Sequence, residues 1–137
     1  LLSGDQVLSG ITPNISLVPG GEPGVLARYL DSLAALETLE VDLALPGHRD
    51  PIRDSRGRIG QIREHHVKRL EAMEAMLAAP LSAYEICMRL FGDRARGSMH
   101  NLRFAMSETL AHLEHLEREG RAASLRGADG IVRWRRR

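Results

Sequence analysis

The spacing of apolar residues along the first third of the chain predicts a strand, a loop, a helix and a second strand. Residues 1–8 form a short apolar run interrupted by a turn-like Gly-Asp, and residues 9–23 are rich in Gly and Pro, which is typical of a long loop. Over residues 25–39 apolar side chains recur every three or four positions, which predicts an amphipathic helix. Residues 41–45 alternate and predict a half-buried strand. This order resembles one crossover of a layered α/β fold.

The rest of the chain predicts helices that end in a β-hairpin. The predicted elements are a helix from Asp54 or Ser55 to Pro80, a short helix begun by a capping box of Ser82 and Glu85, a loop over residues 94–97, a helix ending at Gly120, and hairpin strands over residues 122–126 and 131–135. Three helices followed by a hairpin is the element order of a winged helix. The sequence as a whole therefore predicts an α+β protein.

Composition limits the class of protein. Of the 137 residues, 43% are hydrophobic and 27% are charged, which fits one or two small folded domains and excludes disorder. No stretch approaches the roughly 20 apolar residues that cross a bilayer, so we expect no membrane partner. The single cysteine, Cys87, excludes disulfides and cysteine-rich zinc modules and favours a reducing, cytoplasmic setting. Because the sequence opens with Leu1 rather than Met, we expect it to begin inside something larger.

Charge divides the chain near residue 54. Residues 1–54 carry three arginines against eight acidic residues, whereas residues 55–137 carry sixteen basic residues against ten acidic ones. Two regions of opposite net charge indicate a boundary between them. We therefore predict one domain over residues 1–54 and a second over residues 55–137.

Two short motifs place metal-ligating residue types directly after the predicted strands. Ser-Gly-Asp ends in Asp5, and Pro-Gly-His ends in His48. A carboxylate and an imidazole suit Zn²⁺ or a similar divalent ion. Taken singly, each residue is more often a turn former or a solvated loop residue. Only the two motifs together therefore indicate a metal site.

The combination resembles a known family. The two motifs, the loop that follows the first and the Tyr-Leu-x-Ser-Leu of residues 29–33 are similar to the second half of a metallo-β-lactamase-fold hydrolase. Residues 65–69, 81–85 and 109–120 resemble the linker helix and winged-helix tail of the lactamase-beta-2-like subgroup. This resemblance extends over nearly the whole chain. It implies a partial αββα layer, in the order strand-loop-helix-strand, followed by a helical winged-helix domain.

The resemblance also implies a role for each candidate ligand. Asp5 matches the carboxylate that bridges two metal ions, and His48 matches the last histidine ligand of the second metal. The family implies two zinc ions in the complete protein, with manganese or iron as alternatives. Two cations that share one hydroxide lower its pKa toward neutrality, so that it attacks an ester, thioester or phosphodiester bond.

The other ligands of the family are missing from this sequence. They comprise a His-x-His-x-Asp-His cluster and one further histidine, all upstream of the position that matches Asp5. None of the remaining histidines has that spacing. We therefore expect the C-terminal part of a metal-dependent hydrolase, incomplete on its own, whose substrate and catalytic residues the sequence does not reveal.

The neighbouring histidines on the predicted helix do not suggest a second metal site. Adjacent residues on a helix point about 100° apart, so both cannot ligate one ion from one face. His66 is predicted to be a partly buried helix residue, and His65 with Arg69 is a candidate substrate or interdomain contact, although a structural role is favoured. His112 and His115 lie among glutamates, which favours a solvated helix face.

A winged helix that binds nucleic acid without catalysis is the alternative function, and a pure interaction domain is a third. The last predicted helix carries Arg103 and Arg118 against four glutamates, the wrong sign for a helix that enters the major groove. Basic residues gather in the wing around Trp134, and such a patch could follow a single strand. We favour the interpretation in which Trp134 packs the wing onto the core and the arginines are solvated.

The predicted strands of the first domain lack neighbours. The helix over residues 25–39 can cover only one face of them, which leaves an unpaired edge and apolar surface. We therefore expect the chain to self-associate.

Overall fold

The computed structural model describes all 137 residues. Half of them are helical, in a mixed α+β arrangement. None of the helices combines the length and apolar character that crossing a bilayer requires. The elements in chain order are β1 (Leu2–Gly4), α1 (Val25–Glu37), β2 (Leu45–Pro46), α2 (Ser55–Met76), β3 (Leu81–Ser82), α3 (Ala83–Phe91), α4 (Asp93–Arg96), α5 (Met99–Arg118), β4 (Ala122–Arg126) and β5 (Val132–Arg136).

These elements group into two compact units. The first unit consists of Leu1–Asn14 and Ala27–Lys68, and the second consists of Ile15–Leu26 and Arg69–Arg137. Helix α2 therefore contributes residues to both units. The predicted domain boundary at residue 54 stays a prediction.

The first unit contains a short parallel sheet. β1 pairs with β2 so that Leu2 lies opposite Leu45 and Gly4 lies opposite Pro46. The strand predicted over residues 41–45 is wrong in length, because Leu45 is the only one of these residues that belongs to β2.

The predicted alternation over residues 41–45 also has the wrong phase. Ala44 is fully buried, and its backbone exchanges two hydrogen bonds of 2.8 Å with Ile52. Leu43 and Leu45 are 37% and 42% exposed, and Leu2 is 84% exposed. Side chains that alternate along a strand define its two faces, but the alternation does not tell which face is buried. Here the backbone pairing with Ile52 turns the Ala44 side chain inward. The side chains of Leu2, Leu43 and Leu45 therefore form an exposed leucine surface on the first unit.

Helix α2 begins at a capping carboxylate and contributes to the core of the first unit. Asp54 Oδ1 accepts a hydrogen bond from the Gly57 N–H at 2.8 Å. Ile62 and His66 are fully buried at helical spacing. His66 is thus more buried than predicted, because the Tyr29 ring lies edge-on to it with 5.6 Å between ring centroids.

The second unit contains the predicted capping box and one helix that the sequence did not indicate. Ser82 Oγ accepts from the Glu85 N–H at 3.3 Å, and Glu85 Oε2 accepts from the Ser82 N–H at 2.8 Å. The predicted loop over residues 94–97 is wrong, because residues 93–96 form the single turn α4. This turn forms because Ala95 packs into a buried cluster with Cys87.

Three antiparallel strands complete the second unit in the order β3, β5, β4. Trp134 of β5 lies opposite Leu81 of β3 on one side and Ser124 of β4 on the other. The predicted hairpin is present, with its second strand one residue later than expected. The two-residue β3 was not predicted, because a strand this short carries no alternation.

The polar residues of α5 are more buried than predicted. His112 is fully buried and His115 nearly so, which shows that the predicted solvated face is wrong. The Arg69 guanidinium forms an ion pair with the carboxylate of Glu108, and His112 Nδ1 lies 2.8 Å from the Glu108 carbonyl oxygen. These partners satisfy polar groups in the interior, so this face of α5 can turn inward.

Candidate metal site

Asp5 lies on a tight turn directly after β1. The Gln6 N–H donates to the Ser3 carbonyl at 2.9 Å, and the Ser3 hydroxyl donates to the Val7 carbonyl at 3.1 Å. The main chain and one short side chain therefore fix the turn. The Asp5 side chain itself is 71% exposed.

His48 lies on a second turn that touches the first. The Gly47 N–H donates to the Gly4 carbonyl at 2.8 Å, which joins the two turns through their main chains. A Cβ atom at Gly47 would lie 2.9 Å from Asp5 Oδ1, so a side chain at this position would displace the Asp5 carboxylate from its present place. The glycine of Pro-Gly-His thus lets the carboxylate lie against the second turn.

The structure brings the two predicted ligands together. Asp5 Oδ1 lies 3.3 Å from His48 Nδ1, and the His48 side chain is 54% exposed. Two donor atoms bound to one tetrahedral zinc ion at about 2.0–2.1 Å are about 3.3 Å apart, so the donors and their spacing fit a shared cation. No group of three ligating residues occurs in the chain. The candidate site therefore consists of one carboxylate and one imidazole.

Tyr29 on α1 supports the turn that carries Asp5. Its hydroxyl donates to the Gln6 carbonyl at 2.9 Å, and burial raises the pKa of Tyr29 to about 12. The Gln6 side chain in turn donates to the hydroxyl of Ser32. Sequence analysis placed Tyr29 in a family motif but missed this contact. The available signal was a tyrosine with a polar tip on the apolar face of an amphipathic helix.

Arg58 forms hydrogen bonds with the loop that follows the Asp5 turn. Its Nε donates to the Leu8 carbonyl and its Nη2 donates to the Ile11 carbonyl, both at 2.7 Å. These bonds satisfy two carbonyls of an irregular segment. Sequence analysis did not identify Arg58, because a lone arginine on a helix gives no indication of its partner.

The other two predicted site residues have structural partners. The guanidinium of Arg69 pairs with Glu108 and lies 4.8 Å from the centroid of the Phe91 ring. Burial raises the pKa of Glu108, against the opposing effect of Arg69. The His65 ring lies edge-on to His66 with 5.5 Å between centroids. Contact of His65 and Arg69 with a substrate or another domain stays a prediction.

Comparison with known proteins shows what the chain is similar to. Residues 70–137 match the family model of the metallo-beta-lactamase-like C-terminal domain. The crystal structure of a beta-lactamase domain protein from Burkholderia ambifaria is 40% identical with a TM-score of 0.92, and covers 99% of this chain and 40% of that one. The metallo-beta-lactamase family protein TTHA1429 from Thermus thermophilus is 38% identical with a TM-score of 0.84, over 99% of this chain and 41% of that one.

A curated relative has a similar description. The probable metallo-hydrolase YqjP of Bacillus subtilis strain 168 is 31% identical over 124 residues, which are 87% of this chain and 38% of the relative. The chain spans 38% to 41% of the length of these three proteins. Its residues 70–137 match the model of the metallo-beta-lactamase-like C-terminal domain, and the chain is similar to metallo-hydrolase family proteins. The resemblance seen in the sequence is confirmed to this extent.

Proposed function

We propose that this chain supplies two metal ligands, Asp5 and His48, to a metal-dependent hydrolase that cleaves an ester, thioester or phosphodiester bond. The observation that carries the proposal is the 3.3 Å approach of the carboxylate to the imidazole. Main-chain hydrogen bonds rather than burial hold the two turns together, which leaves both side chains open to a cation. Similarity to metallo-hydrolase family proteins supports the same interpretation.

The proposed centre contains two zinc ions, with manganese or iron as alternatives. A divalent cation supplies Lewis acidity and a water of lowered pKa. Asp5 offers two carboxylate oxygens, enough to contact two cations, and the His48 imidazole offers a ring nitrogen. The Gly4–Gly47 contact fixes the separation of the two turns, so the main chain that carries both ligands does not have to reorganise on binding. Because two ligands hold a cation weakly, we propose that the others come from outside these residues and that the chain alone is not a complete hydrolase.

We further infer that residues 55–137 form the linker helix and winged-helix tail of the lactamase-beta-2-like subgroup, because α2 is followed by helices α3 to α5 and by a hairpin that pairs with β3. Several of its arginines are already paired. Arg133 pairs with Asp129, and Arg136 pairs with Glu74. Paired arginines leave fewer cations for phosphate groups, so these contacts favour the hydrolase over the nucleic-acid-binding alternative.

We propose that the leucine surface mediates self-association. We also propose a reducing, cytoplasmic setting, to which the free thiol of Cys87 is suited. Light scattering should show a mass that rises with concentration, because exposed apolar area drives association. Leu2→Ser combined with Leu45→Ser should shift the rise to higher concentration. Leu125→Ser, at a 57% exposed leucine of the second unit, is the control and should change nothing. A wild-type monomer at all concentrations would contradict this proposal.

Zinc titration of the 137-residue chain by calorimetry tests the ligand assignment. We expect binding weaker than micromolar, which both Asp5→Asn and His48→Ala abolish. Asp42→Asn changes another exposed carboxylate and should bind zinc as the wild type does. Unchanged affinity in both ligand variants would contradict the assignment. Two sites of submicromolar affinity, lost on His48→Ala, would contradict the incompleteness of the centre.

A further inference from the structure

A groove in the second unit, between α5 and the loop that precedes α1, has the composition of a ligand site and does not involve the metal ligands. One cavity of about 300 Å³ is lined by Ser16, Val18, His100, Arg103, Phe104 and Ser107. An adjoining cavity of about 320 Å³ shares Val18, Arg103 and Ser107 and adds the apolar side chains Leu17, Pro19, Met106 and Leu110. The groove thus has a polar end and an apolar end, as small-molecule sites usually do.

Both walls of the groove are fixed to each other. The Leu17 N–H donates to the Ser107 carbonyl at 3.0 Å, and the hydroxyls of Ser16 and Ser107 lie 2.9 Å apart. At the far end of the loop, the Gly24 N–H donates to Glu114 Oε1 at 3.1 Å. A groove whose loop is anchored at both ends is formed before a ligand arrives, which lowers the entropic cost of binding.

The polar end of the groove has positive charge. Arg103 is the only Arg, Lys, Asp or Glu that lines either cavity, and residues 99–107 contain no acidic side chain. Arg103 takes part in none of the ion pairs made by α5, which join Arg69 to Glu108, Arg118 to Glu114 and His115 to Glu119. Its planar guanidinium therefore remains available for a carboxylate or a phosphate.

The groove walls suit an apolar body attached to that anion. At the polar end, the rings of His100 and Phe104 meet edge-on with 4.5 Å between centroids and form an aromatic wall. Beyond Arg103 the lining is aliphatic or thioether, as Met106 and Leu110 show. We propose that the groove binds an amphiphilic anion, an acyl or alkyl chain that ends in a carboxylate or a phosphate, with the anionic group on Arg103 and the chain along Met106 and Leu110.

Titrations of the ¹⁵N-labelled chain followed by amide chemical shifts test this proposal without any metal. The probes are octanoate, octyl phosphate, 1-octanol and acetate. We expect saturable shifts at residues 16–19 and 103–110 with one or both octyl anions. Octanol should bind about tenfold more weakly, because it lacks the charge-assisted hydrogen bond, and acetate should not saturate because it lacks the chain. The tighter of the two anions identifies the preferred anionic group.

Two arginine variants make the test specific. Arg103→Gln should reduce the affinity for the anions about tenfold and leave octanol binding unchanged, so that the charge preference disappears. Arg135→Gln removes another exposed arginine of the same unit and should behave as the wild type. The proposal fails if neither anion saturates, if octanol binds wild type as tightly as the anions do, or if Arg103→Gln binds the anions with wild-type affinity.

Discussion

One pair of ionisable side chains in the first unit and one in the second have opposite environments. In the first unit, Asp5 and His48 approach each other at the surface, where the main chain holds them and solvent reaches both. In the second unit, Arg69 and Glu108 form a pair that is largely shielded from solvent. A shielded pair stabilises the folded structure as long as both members are present, because removing one of them leaves the other as an unpaired buried charge. An exposed pair with no packing role is available to a ligand, as the candidate metal site requires.

Breaking the shielded pair should have the largest effect. Arg69→Met leaves the Glu108 carboxylate buried without its partner, and we expect the free energy of unfolding at pH 7 to fall by about 3 kcal/mol. Loss of the guanidinium from the Phe91 ring adds to the defect. Urea denaturation followed by circular dichroism measures the change.

The double variant Arg69→Met/Glu108→Gln is the control, since it removes the stranded charge and should recover most of the stability. In Arg69→Met alone, burial holds the pKa of Glu108 above its unfolded value. The defect should therefore be full above that pKa and shrink as pH falls through it, because protonation discharges the carboxylate. If Arg69→Met lowers the free energy of unfolding by less than about 1 kcal/mol at pH 7, the pair is not needed for stability.

A smaller loss of stability is expected when Tyr29, which supports the turn that carries Asp5, is changed. Tyr29→Phe leaves the Gln6 carbonyl without its donor, so the free energy of unfolding should fall by about 1 kcal/mol. Zinc affinity should fall as well, because the turn that carries Asp5 loses a support. Tyr84→Phe, at an exposed tyrosine of α3, should alter neither quantity. Loss of stability with unchanged zinc affinity would separate Tyr29 from the site.

Local signals in the sequence predicted the helices other than α4, whereas Asp5 and His48 were assigned as ligands by resemblance to a known family. The capping box of Ser82 and Glu85 lies within one turn, and its geometry depends on three residues of spacing alone. Asp5 and His48 each follow a short strand, so their approach results from the parallel pairing of those strands. The capping box can therefore be read from local spacing, whereas the approach of Asp5 to His48 also requires the pairing of two strands.

The remaining contacts depend on partners that are distant in sequence. His112 was assigned to a solvated face because glutamates surround it, yet one of these, Glu108, is neutralised by Arg69 from another helix. The phase of residues 41–45 depends on the backbone pairing of Ala44 with Ile52, which no alternation pattern specifies. Sequence periodicity gives the faces of an element, while tertiary partners decide which face is buried.

The smallest expected effect concerns an exposed pair in the hairpin. The Arg133 guanidinium beside Asp129 lowers the pKa of that carboxyl to about 2. The contribution of this pair is therefore present above the ordinary aspartate pKa and is lost as pH falls toward 2. Carboxyl-detected NMR should give a midpoint near 2 in the wild type, and Arg133→Gln should move it up toward the ordinary value. An ordinary midpoint in the wild type would mean that the pair does not persist in solution.

The imidazole ¹⁵N spectrum of the chain during zinc titration tests the metal site most directly. Six histidines give separate signals. The His48 side chain lies 3.3 Å from the Asp5 carboxylate and is 54% exposed, whereas the His115 side chain, 3.4 Å from the Glu119 carboxylate, is only 11% exposed. We predict that zinc shifts the ring nitrogens of His48 and leaves the other five unchanged, and that Asp5→Asn abolishes the shift at the same zinc concentration. A His48 signal that does not respond to zinc, or responds equally in Asp5→Asn, would contradict the assignment of this pair as metal ligands.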